Sequence, residues 1–202
     1  MSSFTLKLEG LDQVKKEMVI LTKKAEQDVI DELNNFGEGT VEDAVRNLSR
    51  PYPQGATDNG KLKNSISYIP ATSGNYSVEV VVNATYAAFV EFGTRKFAAS
   101  YVASLPTDWQ QFAATFKGSG GGTFTEFIKR LVEWVKRKGF AADVTKGGNK
   151  SNSKSSLHKQ EQAAYAIALH ILLVGSRPHP FLYPAVLKNR QLLIERLNKL
   201  FP

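Results

Sequence analysis

Tyr86-Ala87-Ala88-Phe89-Val90-Glu91-Phe92-Gly93-Thr94-Arg95 divides this chain into two unlike parts. It is an apolar run that carries one carboxylate among aromatics and meets a glycine, so the backbone is expected to reverse sharply there while its neighbours stay buried. The run reads as a strand by the alternation of Tyr86, Ala88, Val90 and Phe92. It reads equally as a short helix by the spacing of Tyr86, Phe89 and Val90, with Thr85 able to cap it. Its alanines favour the helix. Before this stretch lie a long helical pattern and a hairpin pattern; after it come irregular sequence, glycine runs and three further helical patterns.

On the N-terminal side, Leu11, Val14, Met18, Leu21 and Ala25 are spaced three and four apart, and the stripe continues through Val29, Leu33 and Phe36. Gly37 and Gly39 loosen it, since glycine costs about 1 kcal/mol in a helix interior. Val41, Ala44, Val45 and Leu48 then resume the period, predicting one long helix that ends before Pro51, with a bend allowed at the glycines. Pro51, Pro53, Gly55 and Asp58-Asn59-Gly60 mark a loop. Ile66 and Tyr68 alternate with Ser65 and Ser67, and Tyr76, Val78, Val80 and Val82 alternate with polar neighbours across a Thr72-Ser73-Gly74-Asn75 turn. This predicts an antiparallel hairpin whose apolar face receives the long helix.

On the C-terminal side, Phe97 to Gly122 holds Tyr101, Trp109, Phe112 and Phe116 but no long period, and reads as a loop closing in the glycine run 118–122. That run lacks the Gly-Lys-Ser/Thr ending of a phosphate-binding loop and reads as a spacer. Thr123-Phe124-Thr125-Glu126 has capping-box spacing, and Phe124, Phe127, Ile128, Leu131, Val132 and Val135 form a helical face up to Lys136-Arg137-Lys138 and Gly139. Residues 145–156 are polar, basic and of low complexity, and read as a mobile loop. A helix is predicted over 157–174, buried on several sides along its apolar Ala163–Val174 half, with His170 as a core histidine and Gly175 as its stop. Three prolines extend Arg177 to Pro184, and Val186, Leu187, Leu193, Ile194, Leu197 and Leu200 predict a final helix with Pro184 in its first turn.

The bulk composition excludes several classes. With 42% hydrophobic and 22% charged residues in 202, neither wholesale disorder nor a fibrous repeat is favoured. The absence of cysteine removes disulfides, thiolate zinc sites and thiol catalysis, and fits synthesis in a reducing cytoplasm. No apolar signal-peptide core follows the N-terminus, and the longest apolar run falls short of the roughly 20 residues of a membrane helix. A formal charge of +7 favours contact with polyanions without specifying how.

Catalytic chemistry finds little support. His158, His170 and His179 lack the close pairing of a zinc-protease helix, and no nucleophile elbow is present. A buried Glu91 would have a raised pKa suited to acid–base work. Its flanking Phe89, Val90, Phe92 and Gly93 instead favour a carboxylate that accepts bonds from local backbone or pairs with a cation such as Arg95. The chain is therefore read as no enzyme, with no catalytic residue, metal or cofactor.

Three segments in this order, Lys61-Leu62-Lys63-Asn64-Ser65-Ile66, Tyr86 to Thr94, and Arg177-Pro178-His179-Pro180-Phe181-Leu182-Tyr183-Pro184-Ala185, resemble the tail-completion or head-to-tail joining (neck) proteins of long-tailed bacteriophages. The segments around Trp134 to Gly139 and Ala164 to Ala168 resemble a helical elaboration carried by some of them. The resemblance implies an α+β subunit: a long N-terminal helix packed on a small antiparallel sheet, with an inserted helical elaboration and a C-terminal helix. It implies a core over 1–96, an insertion over 97–176 that is longer than in compact members, and a segment over 177–202 that returns to the core.

It further implies a structural virion protein at the neck or upper end of the tail, made in the host bacterial cytoplasm. Its partners would be its own copies in a ring, expected to be a hexamer, the head connector protein, the tail tube protein and DNA in the channel, with no membrane. On this reading Glu91, Phe92, Gly93, Thr94 and Arg95 form a structural turn. Tyr101, Trp109, Phe112, Phe116, Pro180 and Phe181 face other subunits or partners, and Lys146, Lys150 and Lys154 face DNA or an acidic partner. The competing reading is a free-standing basic nucleic-acid-binding protein, which predicts steep salt dependence.

Overall fold

The computed structural model describes residues 4–7, 23–51, 58, 60–116, 124–143, 145, 151 and 153–200. The chain divides into two compact units: Met1–Gly93 with Pro178–Pro202, and Thr94–Arg177.

The first unit is α+β. Strand β1 (Phe4–Lys7) is followed by helix α1 (Lys23–Leu48), a single turn α2 (Lys61–Asn64), strands β2 (Ile66–Ile69) and β3 (Glu79–Val82), helix α3 (Ala87–Phe92) and, after the second unit, helix α8 (Leu182–Leu200). The sheet is antiparallel in the order β1-β3-β2. The hairpin read from alternation is present, with Ile66 opposite Val82 and Tyr68 opposite Val80, and β1 supplies a third strand on the far edge of β3. Ile66, Val80 and Val82 share one face by the two-residue period and are buried, together with Val78.

From Lys23 the long helix runs unbroken to Leu48, burying Val29, Ile30, Leu33, Phe36, Ala44 and Leu48 at helical spacing. Its predicted beginning at Leu11 lies outside the described residues. The glycines are points of close approach, not breaks. A Cβ on Gly37 would lie 2.6 Å from the Tyr68 ring and 2.8 Å from Val78 Cγ1, and one on Gly39 would lie 2.5 Å from Asn189 Oδ1 of α8. Two residues turn a helix by about 200°, so the sheet and α8 approach α1 from opposite sides.

A polar seam joins α1 to α8. The Asp43 carboxylate accepts bonds from Lys188 Nζ at 2.8 Å, Asn189 Nδ2 at 2.9 Å and Arg46 at 2.7 Å. Burial pushes the Asp43 carboxyl up, but those hydrogen bonds and the charges of Lys188 and Arg46 outweigh it and hold it below its ordinary value.

The second unit is helical: α4 (Arg95–Ala103), α5 (Thr107–Ala114), α6 (Phe124–Lys138) and α7 (Lys154–Leu173). The stretch expected as a loop from Phe97 therefore contains two short helices. Eight or nine residues give too few turns for a period to stand out, and the break between the helices is made by Leu105-Pro106, with Gln110 Nε2 donating to the Leu105 carbonyl.

Helix α6 ends as its sequence predicts: Gly139 takes a left-handed φ of 75° and its N–H reaches the Val135 carbonyl at 2.8 Å. The expected capping residue Thr123, the glycine run 118–122 and the basic residues 146–150 lie outside the described residues. Helix α7 begins three residues earlier than expected, capped by Ser153, whose Oγ accepts from the Ser156 N–H.

Its apolar half is not buried on several sides. Ala164 and Ala168 pack inward, while Tyr165, Leu169, Leu172 and Leu173 are exposed, Leu173 by 77%, and His170 is exposed, not a core residue. No helix among the described residues is long and apolar enough to cross a membrane.

Candidate functional site

Helix α3 settles the ambiguity of the dividing stretch. Ala87, Ala88, Glu91 and Phe92 are buried while Tyr86 and Phe89 are exposed, which is a helical and not an alternating pattern. Thr85 does not cap it. The entry is closed by a backbone turn in which the Ala87 N–H donates to the Ala84 carbonyl, and Tyr86 takes the cap position without a side-chain bond. Gly93 follows with φ 72° and ψ −164°, a conformation essentially reserved for glycine.

This geometry turns Glu91 into the core, where it is 0% exposed. Its Oε2 accepts the N–H groups of Phe181 at 2.7 Å and Leu182 at 2.9 Å, and its Oε1 accepts that of Tyr183 at 3.0 Å. These are amides at the start of α8, where a helix has no intrahelical acceptors. The next residue, Pro184, has no N–H to satisfy. One carboxylate thus caps the C-terminal helix from 90 residues away.

The capped segment is held at two further points: the His179 N–H donates to the Val90 carbonyl at 2.7 Å, and Asn47 Nδ2 donates to the Phe181 carbonyl at 3.0 Å. Burial pushes the Glu91 carboxyl up to about 7, against the lowering effect of its three backbone donors.

The expected partner of Glu91, local backbone or Arg95, is therefore replaced by backbone far along the chain. Arg95 is exposed in the second unit at a φ of 52°. There Thr94 joins the two ends of that unit: its N–H donates to the Ser176 carbonyl at 3.0 Å, and its Oγ1 accepts the Ser176 N–H at 2.7 Å. Gly175 admits this approach, since a Cβ there would lie 2.3 Å from the Thr94 carbonyl oxygen.

The remaining site candidates are divided between the two units. Phe181, expected to face a partner, is 1% exposed and belongs to the core, because its backbone is drawn inward by Glu91 and Asn47. Trp109 is likewise buried and meets Phe112 edge-to-face at 5.5 Å, which meets Phe116 at 5.2 Å, so these aromatics pack along α5 and the turn that follows it. Tyr101, Phe112, Phe116 and Pro180 are half-buried. Lys154 is exposed at the start of α7; Lys146 and Lys150 lie outside the described residues.

Sequence reasoning missed the α1–α8 seam of Asp43, Asn47 and Asn189. The available signal was polar Asp43 and Asn47 standing one turn apart beside Ala44 and Leu48 on the apolar stripe. A shallow groove of ≈ 250 Å³ lies beside that seam, lined in part by Glu32, Glu38, Glu42 and Arg196. Among the described residues no group of three His, Asp or Glu is placed to hold a metal.

No curated protein and no solved structure matches the chain. Residues 12–93 match a sequence family, HK97-gp10-like, described as "Bacteriophage HK97-gp10, putative tail-component". The match ends at Gly93, where the first segment of the α+β unit also ends, so the part of the chain that carries α1, the hairpin and Glu91 is similar to a bacteriophage tail component.

Proposed function

We propose that this chain is a structural virion protein that completes the phage tail or joins it to the head connector, assembling as a ring. The observation that carries this reading is the family match over residues 12–93, which covers α1, the β2–β3 hairpin and α3 and stops where the α+β unit gives way to the helical one. A ring subunit needs surfaces for its own copies and neighbours, not a cleft with paired acid and base. Exposed large apolar residues supply such surfaces: Leu187 and Ile194 on α8, and Tyr165, Leu169, Leu172 and Leu173 on α7.

In this role Tyr101, Phe112, Phe116 and Pro180 reach neighbouring subunits or the tail tube protein, and Lys146, Lys150 and Lys154 approach DNA in the channel or an acidic partner. The ring is taken to be a hexamer at the neck or upper end of the tail. Electron microscopy of the purified protein, alone and mixed with tails, tests the proposal: a ring seated at one end of the tube is expected. Dispersed particles that leave the tails bare would overturn it.

A second reading, a free-standing nucleic-acid-binding protein, draws on the distribution of charge. Thr94–Arg177 contains 13 Lys and Arg against 5 Asp and Glu, while the α+β unit contains 13 against 14. The whole positive excess of the chain thus resides in the helical unit.

A further inference from the structure

Three cations of the helical unit meet where its two ends are tied together. Thr94 bonded to Ser176 sets Arg95 and Lys96 beside Arg177. Lys96 Nζ lies 5.3 Å and Arg177 Cζ 5.8 Å from the centroid of the same Phe97 ring, so both ammonium and guanidinium are oriented by one aromatic side chain. All three cations are exposed, and among the described residues none forms an ion pair with a carboxylate. By contrast, Lys159 in the same unit is paired with Asp143 at 2.7 Å. Exposed cations that no described carboxylate faces leave their charge available to an anion from solution.

Arg95 adds a second, independent sign. Its φ of 52° is a left-handed conformation that glycine adopts freely and other residues do not. Local backbone physics favours glycine at this position, yet the chain carries a guanidinium there. A strained residue at an exposed charged cluster is the form in which binding sites store strain.

We propose that Arg95, Lys96 and Arg177 form a docking surface for the phosphodiester backbone of a nucleic acid. Two of the three are arginines, whose planar forks match phosphate oxygens in pairs. The excess of cations extends through the rest of the unit, including Lys129, Arg130 and Lys136 on the exposed side of α6, and so suits a partner whose negative charge is continuous. Acidic protein surfaces intersperse their charge, whereas a nucleic acid carries one phosphate at every step of each strand. The surface reads no sequence, because every group in it addresses the backbone. The inference holds whether or not the chain forms a ring.

The test is fluorescence anisotropy of a labelled duplex DNA of mixed sequence with the full chain, from low to physiological salt. Arg95→Gly/Lys96→Gln/Arg177→Gln is expected to weaken binding at least tenfold and to flatten the log–log salt slope by about 2–3, near 0.9 per lost phosphate contact. Lys129→Gln/Arg130→Gln/Lys136→Gln removes the same formal charge from α6 and is expected to lose less than half as much on a logarithmic scale.

Arg95→Gly alone should raise the melting temperature while lowering DNA affinity, a split that a merely structural role for Arg95 would not produce. Equal losses in the two triple variants, no binding by the unaltered chain at low salt, or tighter binding to polyglutamate than to DNA would each overturn the proposal.

Discussion

At the scale of single residues, Glu91 does the most. Two buried N–H groups and one half-buried one donate to its two oxygens, and each buried donor left without an acceptor costs about 1–3 kcal/mol. Glu91→Ala also opens a cavity, so a loss of about 3–5 kcal/mol is expected, a large fraction of the roughly 5–15 kcal/mol that holds a typical domain folded. Glu91→Gln keeps the volume but turns an NH2 toward a donor, and about 1–3 kcal/mol is expected. Urea denaturation of both variants measures this; an unchanged midpoint for Glu91→Ala would show the carboxylate to be dispensable.

The same residue implies a pH dependence. Its folded pKa is raised to about 7 from the ordinary 4.5, so the folded state holds the proton more tightly than the unfolded one. The stability that Glu91 contributes is then fully present below about 4.5 and declines as pH rises toward 7. The stability gap between the unaltered chain and Glu91→Gln should therefore be wider at pH 5 than at pH 7.5, by about 1–3 kcal/mol.

At the scale of elements, α1 shows how packing overrides propensity. Gly37→Ala would gain about 1 kcal/mol from helix propensity alone. The new methyl meets Tyr68 at 2.6 Å and Val78 at 2.8 Å, and Val78 is fully buried, with little room to yield. Overpacking of this kind costs about 1–3 kcal/mol, so a net destabilisation is expected, visible as a lowered melting temperature. A raised one would show that the sheet can shift away from α1.

Helix α7 makes the opposite point. Its apolar run from Ala163 was read as buried on several sides, but burial requires a neighbour, and among the described residues α6 packs against this helix while Ala164 and Ala168 are buried and Tyr165, Leu169, Leu172 and Leu173 stay exposed. Apolar composition measures the tendency to be covered; the topology decides whether a neighbour is available.

At the scale of the whole molecule, the helical unit is inserted between Gly93 and Pro178, close to the point where the His179 N–H bonds the Val90 carbonyl at 2.7 Å. The chain leaves and rejoins the α+β unit at neighbouring places, and every bond to Glu91 lies inside that unit. Replacing 94–177 by a short Gly-Ser linker is therefore expected to leave a protein that unfolds cooperatively but no longer binds DNA, since the positive excess departs with the insertion. Circular dichroism melting and the anisotropy assay check the two halves of this expectation. A linker variant that cannot fold would show that the α+β unit depends on the insertion.

By itself the sequence determined the elements whose signals are local. The stripe from Val29 to Leu48, the alternation around Tyr68 and Val80, and the Lys138-Gly139 stop are periodicities or caps within a few residues, and the physics that produces them acts over the same distance. Short helices α4 and α5 escaped because they end before a period repeats. Tertiary structure alone decided the rest: that Gly37 and Gly39 admit neighbours from two sides, that Asp43 meets Lys188, and that Glu91 receives the amides of residues 181–183. A carboxylate set among aromatics announces that it must be satisfied. Which of the chain's donors satisfies it depends on where the fold brings the far end of the chain, and no local pattern carries that information.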